Sequence, residues 1–508
     1  ENNTLIVRDH EPYNDTAYTN FAACDGPYSG VRRVGGSGAH FATLEQCLYT
    51  LSRCGVNGPL TIQLAPGVYA PVTFPNIPGV SASNYIQFEP QSSTVMFRAT
   101  TWTTALVDLQ NAKYIRFKNI KFAKQWNLGA MRYLVNLGHN STGCQFINCQ
   151  LLDSSRVVIG YGGESVNALI YSGGADSLVI DGCTFVGGLR GVDITGMALD
   201  NRASGNKVLR SSFTNQTNNA IYAVNQTAVI IDSNDVNDVT SNASYVTLMQ
   251  YCYGGSRLTR NKVFTSHGAS AVGISDVYGY ADDMMVVANN MIVCSDDGQA
   301  NLMTTPMNLI KMDYVKGVFN SVKMSAPQRS NIAAATFGGG ILNNCCFKNN
   351  IVSCFDEVNY AFNYLPNAST TNEVGNNIYY SRSRTLNKYQ GTAAHALDEW
   401  VSLVVMDTAS YELNPYFLNS TPTDLRTYNR TVRGSAVPIA EVTIDMFGTI
   451  RDTTAPCIGA FEFGALNFDF EVEALEEPFE EYCGAPSSIP VRVRIKNSGV
   501  SPFIPSVS

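Results

Sequence analysis

A histidine and a carboxylate held one strand spacing apart can share a proton and act as base and acid, and this chain offers such a pair if it is wound as a coil. His267 follows Val263 by four residues, and Asp296 follows Ile292 by four, with Asp297 beside it. Val263 and Ile292 are equivalent positions of a repeat, so the winding would stack His267 on Asp296 at about 4.8 Å. Polar residues filling an exposed corner would produce the same pattern. Tyrosines form a second group: Tyr222 and Tyr278 precede their repeat markers by fourteen residues, as does Tyr171, while Tyr251, Tyr253 and Tyr280 lie near that phase. Ring faces with polar tips can stack on sugars along a groove. The same rings could instead line the coil or its sheet faces, where strand propensity favours them.

The elements that must position these groups are written in the repeat itself. Asn234, Asn261, Asn290, Asn320, Asn349 and Asn376 each stand two residues before an apolar marker, respectively Val236, Val263, Ile292, Val322, Ile351 and Ile378. Ile120-Lys-Phe122, Cys149-Gln-Leu151, Cys183-Thr-Phe185 and Ser211-Ser-Phe213 keep the phase without the asparagine. A period of this length means a solenoid. The copies are rich in β-branched and aromatic residues bounded by Gly, Asn and Asp, as in Ser177-Leu-Val-Ile-Asp-Gly-Cys-Thr-Phe185, and no helical stripe runs through them. Neither a leucine consensus nor paired amphipathic helices nor four strands per copy is present, which leaves an all-β parallel β-helix with one copy per turn. Stacked asparagines one strand apart can hydrogen-bond along the axis as a ladder and tolerate the left-handed backbone of a tight corner. Their expected role is architectural.

Composition narrows the function. The 508 residues are 45% hydrophobic and 15% charged, with a formal net charge of -8, which argues against nucleic acid or an anionic membrane as partner. No apolar run is long enough to span a bilayer. The chain opens on Glu1-Asn-Asn-Thr without a Met, so a mature or trimmed form lacking its targeting segment is expected. The thirteen cysteines have neither zinc spacing nor the density of a disulfide scaffold, and most are expected to be buried thiols. Histidines are dispersed, and no metal or other cofactor is assigned.

Residues 1–30 are polar and irregular, a lead-in segment. Thr43-Leu-Glu-Gln46 has capping-box spacing, and Leu44, Cys47, Leu48, Leu51 and Cys54 recur at helical intervals before Gly55, which predicts a short amphipathic helix closing the open end of the coil. Residues 31–465 form the β-helix, and residues 466–508 a partial module or tail. Gly38-Ala-His-Phe-Ala-Thr-Leu-Glu-Gln46 with Gly58-Pro-Leu-Thr-Ile-Gln-Leu-Ala-Pro-Gly-Val-Tyr69 resembles the entry segment of pectin-lyase-like right-handed parallel β-helix proteins. Asp445-Met-Phe-Gly448, Arg451 and Cys457-Ile-Gly-Ala-Phe-Glu462 resemble the motif that closes such coils in bacterial surface proteins. The alternating run Ile489 to Gly499 resembles the first strands of a CARDB-type immunoglobulin-like adhesion module, too short to be complete, which implies a longer parent protein or, otherwise, a β-rich tail folded back on the coil.

The resemblance implies a right-handed coil, consistent with the handedness of parallel crossovers. It speaks weakly of activity. Polygalacturonase-like enzymes carry Asp-Asp before Gly-His-Gly and then Arg-Ile-Lys, whereas Asp296-Asp297 here follows His267-Gly268 and Arg494-Ile-Lys496 lies beyond the coil. Gly191-Val-Asp-Ile-Thr-Gly196 is only slightly similar to the pectin methylesterase motif, so Asp193 reads as a strand or turn residue. Pectate lyases need several carboxylates for calcium and a basic residue; Asp276, Asp282 and Asp283 with Lys311 and Asp313 supply the types but no fixed spacing. The expected function is a monomeric secreted or cell-surface bacterial protein, adhesin-like, whose coil presents a face to a polysaccharide or glycoprotein glycan. The alternative is a polysaccharide lyase or glycoside hydrolase, and the third reading is a structural stalk.

Overall fold

The computed structural model describes residues 24, 26–99, 103–124, 131–153, 167–237, 245–266, 270–295, 305–327, 330–367, 371–477 and 491–501. His267, Asp296 and Asp297 lie outside them. The chain winds as a right-handed parallel β-helix whose coils build three long sheets, of 13, 13 and 15 strands among the described residues, parallel except for the pair Asn387–Tyr389 and Thr392–Ala394. In one coil the strand Ile115–Lys118 belongs to the first sheet, Lys121–Lys124 to the second and Tyr133–Leu137 to the third. Between the first and second sheets only two residues intervene. Between the other sheets the loops are longer and vary in length.

That two-residue corner is the same in ten coils. Its first residue has a positive φ throughout, between 46° and 64°: Asn119, Asn148, Gly182, Arg210, Ser233, Arg260, Asn289, Phe319, Asn349 and Asn376. Left-handed backbone turns the chain sharply enough for the next strand to begin at once. The second residue points inward and forms the ladder. Its backbone N–H donates to the side chain of the next coil, from Cys149 to Cys183 Sγ at 3.4 Å, Cys183 to Ser211 Oγ at 3.0 Å and Ser211 to Asn234 Oδ1 at 3.0 Å. Asn234, Asn261, Asn290, Asn320, Asn350 and Asn377 continue it, and Ser410 ends it. Each asparagine Nδ2 also donates to a carbonyl one coil back, as Asn290 does to Leu258 at 2.9 Å.

Two members of the expected ladder are therefore corrected: Asn350 and Asn377 are the rungs, and Asn349 and Asn376 are the left-handed residues before them. The sequence expectation gave one residue both tasks, whereas the corner divides them between neighbours. The markers shift likewise, because Val322 pairs with Val352 and not with Ile351, and Val352 pairs with Tyr379. Ile351 and Ile378 point outward. They are nonetheless buried, since the segment after the coil folds back over them.

The inside of the coil is filled by columns of equivalent residues. Phe88, Phe117 and Phe146 stack at 5.6 and 5.4 Å, and Phe185 lies on Phe213 at 4.6 Å. Helix α1, Leu44–Cys54, covers the first end with Leu44, Cys47, Leu48 and Leu51 buried; Thr43 Oγ1 accepts from the Gln46 N–H, and Gly55 at φ 70° ends the helix. Cys54 is not an apolar member of that face, because it is joined to Cys24 in a disulfide. The cysteines inside the coil are buried thiols, with Cys144 and Cys252 pushed up to about 12 by burial. Helix α2, Leu397–Leu403, closes the other end with Trp400, whose Nε1 donates to Asp407 Oδ2 at 2.7 Å alongside the Tyr379 hydroxyl at 2.8 Å.

Residues 413–463 form a strap over the outside of the corner. Beneath it the outward positions Val286, Met291, Ile351 and Ile378 are apolar and pack against Phe417, Leu425, Val442 and Ile458. The motif resembling a coil-closing signature is the knot of this strap. Asp445 caps the Phe447 and Thr449 N–H groups at 2.8 Å each and the Glu462 N–H at 2.9 Å. Arg451 is buried, pairs with Glu462 at 3.0 Å, donates to Asn289 Oδ1 at 2.6 Å and lies 3.9 Å from the Phe319 ring centroid. A separate antiparallel pair, Phe470–Glu477 with Arg492–Asn497, follows.

Candidate site on the third sheet

The third sheet carries the long strands, including Asn219–Thr227, Tyr245–Tyr253, Ser270–Tyr278 and Met307–Asp313. Ile221, Ala223, Met249, Ile274 and Leu309 on them are fully buried, so alternation turns the side chains between them to the outer face. There Tyr171 registers with Asp193, and Asp193 with Tyr222. The Arg190 guanidinium pairs with Asp193, donates from Nε to Asn219 Oδ1 at 3.2 Å, and lies 3.9 Å from the Tyr222 ring centroid. Thr195 Oγ1 donates to the other Asp193 oxygen at 2.7 Å. Tyr133 stacks on Tyr171 at 4.5 Å and 14°. Burial raises both phenols above their usual value, with the Asp193 charge adding to it.

A second group sits where the long strands end. Tyr253 registers with Tyr278, their rings 5.1 Å apart, and Arg202 lies 3.8 Å from the Tyr253 centroid. Two residues earlier another left-handed column runs through Asn225, Tyr251, Asp276 and Lys311, with φ between 52° and 54°. Positive φ is rare for a tyrosine, and it persists here because strands on both sides hold the backbone. The column brings Lys311 Nζ within 3.5 Å of Asp276 Oδ1, while Gln250 Nε2 donates to Asp276 Oδ2 at 3.3 Å. Asp313 accepts from Asn344 Nδ2 at 3.0 Å. The Tyr278 phenol is raised by burial first and by Asp276 next.

Tyr251, Tyr253 and Tyr278 thus come together, and Tyr222 lies on the neighbouring strand Asn219–Thr227, near Arg190. Tyr280 stands apart in a turn, its N–H on the Asp283 carbonyl at 3.2 Å, with 49% of its surface exposed. Tyr222 and Tyr278 do not share a column, although both lie fourteen residues before a marker. Tyr222 registers with Leu248 and that with Gly273, five residues short of Tyr278, because the loop from the third sheet to the first changes length between coils. Arg190, Tyr133 and Tyr245 were missed. Tyr245 lays its ring over Gly273, where a Cβ would meet it at 2.2 Å, and its hydroxyl accepts from Asn308 Nδ2 at 2.9 Å. Nothing in the local sequence marks these residues; only register does. Among the described residues no group of three or more His, Cys, Asp or Glu side chains could hold a metal ion.

No protein-family model matches the chain, and no curated protein matches it. Among solved structures, the Streptococcus pneumoniae surface protein and adhesin PfbA is 10% identical, with a TM-score of 0.31 over 65% of this chain and 90% of that one. A mannuronic acid specific polysaccharide family 6 lyase from human gut microbiota is 12% identical, with a TM-score of 0.31 over 65% and 83%. The tailspike protein of E. coli bacteriophage HK620, in complex with a pentasaccharide, is 12% identical, with a TM-score of 0.29 over 66% and 56%. At TM-scores this low they add nothing to the register described above.

Proposed function

We propose that this protein binds glycans along the outer face of its third sheet, as a secreted or cell-surface protein that displays a rigid coil to a polysaccharide or a glycoprotein glycan. The observation that carries this reading is the series of half-buried rings Tyr171, Tyr222, Tyr253 and Tyr278 along the sheet, with Asp193 on the coil between the first two. Rings already fixed by packing lose little freedom when a sugar stacks on them. Two cations of this face are engaged internally, Arg190 by Asp193 and Lys311 by Asp276, which favours uncharged sugar rings over uronates. The Cys24–Cys54 disulfide suits an oxidising compartment. No helix among the described residues is long and apolar enough to cross a membrane.

The Lys311–Asp276 contact favours a second reading, a polysaccharide lyase or glycoside hydrolase, because a base and a carboxylate lie on adjacent coils beside Tyr278. A glycan array combined with mass spectrometry of the incubated glycans separates the two. Binding without new products, weakened about tenfold or more by Tyr253→Ala or Tyr278→Ala at an unchanged melting temperature, is the expected result. Shortened products lost in Lys311→Ala would establish the enzyme instead. Neither binding nor products would leave a stalk.

A further inference from the structure

The tight corner has three treatments along the coil, and the differences point to a second binding site. Under the strap its left-handed asparagines read polypeptide main chain. The Asn349 amide donates to the Val437 carbonyl at 2.8 Å and accepts from the Val437 N–H at 3.1 Å, so one side chain engages both main-chain groups of a single residue. Asn289 Nδ2 donates to the Ile444 carbonyl at 2.8 Å, and Asn376 Nδ2 to that of Ser435 at 3.4 Å. In the middle coils the same position is Arg210, Ser233 and Arg260, and each turns aside to a carboxylate, Arg210 to Asp181 and both Ser233 and Arg260 to Asp232.

In the first coils the position returns to asparagine. Asn119 and Asn148 line an open cleft of about 580 Å³, a size usual for ligand sites, and among the described residues their side-chain amides have no hydrogen-bond partner. The next coil has Gly182 at this position, where a Cβ would meet Asn148 Oδ1 at 2.4 Å. The outward second-sheet residues here are Lys121 and Gln150, whereas under the strap they are Met291, Ser321, Ile351 and Ile378, three of the four apolar. Among the described residues no aromatic ring lines the cleft, in contrast to the tyrosine face.

We propose that this cleft binds an extended polypeptide segment, with Asn119 and Asn148 engaging its main chain as Asn289, Asn349 and Asn376 engage the strap. Its side chains are polar, since Lys121 and Glu89 face it where the strap meets isoleucine and methionine. The site is independent of the glycan reading, which concerns another sheet.

The test uses the whole chain and its Asn119→Gly/Asn148→Gly variant. Glycine keeps the left-handed corner unstrained and removes only the amides, so folding is preserved and is checked by the melting temperature. A random dodecapeptide display library is selected on the parent protein with the variant as counter-selection, and enriched peptides are synthesised and titrated calorimetrically. A single-site peptide complex weakened about tenfold or more in the glycine variant, the scale of one or two lost hydrogen bonds, and unchanged in Tyr253→Ala, is the expected result. No enrichment over the variant, equal binding by parent and variant, or an oligosaccharide whose binding the glycine pair abolishes, would each overturn the proposal.

Discussion

The corner between the first and second sheets and the face of the third sheet are built from the same coils, yet they obey opposite rules. At the corner ten coils each spend two residues, one left-handed and one turned inward, and from Cys149 onward each coil bonds to the inward side chain of the next. On the third sheet the strands run from two residues, Val72–Thr73, to nine, Asn219–Thr227, and the outward column passes from tyrosine to aspartate to tyrosine to leucine to glycine. A fixed corner leaves the opposite wall free to vary, because coil stacking is already secured by the ladder. This division predicts where substitutions will be felt.

The largest effect should come from charging the inward neighbour of the ladder. Ile292 is fully buried between Val263 and Val322. Ile292→Asp places an unpaired charge there and should cost more than about 4 kcal/mol, read as loss of the cooperative thermal transition. Thr184→Asp, at an outward position of the same sheet, should stay within about 0.5 kcal/mol by the same measurement. Equal melting temperatures would mean that the inside and outside of the corner are wrongly assigned.

Next comes the strap, which covers this corner and not the third sheet. Arg451→Met leaves Glu462 buried without its cation and should cost about 3 kcal/mol. The loss should appear as limited proteolysis between residues 413 and 463 while the coil stays resistant. Uniform digestion would show that strap and coil unfold as one unit. Asn290→Ala should cost about 2 kcal/mol, since the N–H of Asn261 and the carbonyl of Leu258 both lose the amide that satisfies them. Chemical denaturation should register it as a shifted midpoint with an unchanged slope.

The same contrast explains what the sequence disclosed. The ladder was legible from Asn234 to Asn320 because a repeated polar residue before a single apolar one has only one phase. It slipped at Asn349-Asn350-Ile351-Val352, where two asparagines and two apolar residues stand together, since the strap buries the outside as well and erases the alternation. Helix α1 was legible from its cap and stripe, but its last cysteine was not, because a disulfide partner thirty residues away leaves no local trace. On the third sheet residue types were found and their neighbours were not. Tyr253 and Tyr278 meet, whereas Tyr222 meets Arg190, and the difference lies in loop lengths that no local pattern encodes.

The smallest effect is one of pH, and it places the two regions in different windows. The ladder ends at Ser410, whose hydroxyl bonds to Asp407, and burial raises the Asp407 carboxyl above its ordinary range despite donors from Ser410, Trp400 and Tyr379. Folded protein then holds a proton that unfolded protein has released, so stability is greatest below the ordinary carboxylate value and falls as pH rises to the raised one. Asp407→Asn should flatten that part of the profile and leave neutral stability equal or higher. On the third sheet Tyr133 and Tyr171 are raised in the same sense, which moves their loss of stability to alkaline pH, above the ordinary phenol range. Melting temperatures of parent, Asp407→Asn and Tyr171→Phe across acid and alkaline buffers should therefore change in separate windows. A Tyr171→Phe variant that altered the acid window would mean that the end of the ladder and the tyrosine face are coupled, and that the corner does not isolate the coil from its variable wall.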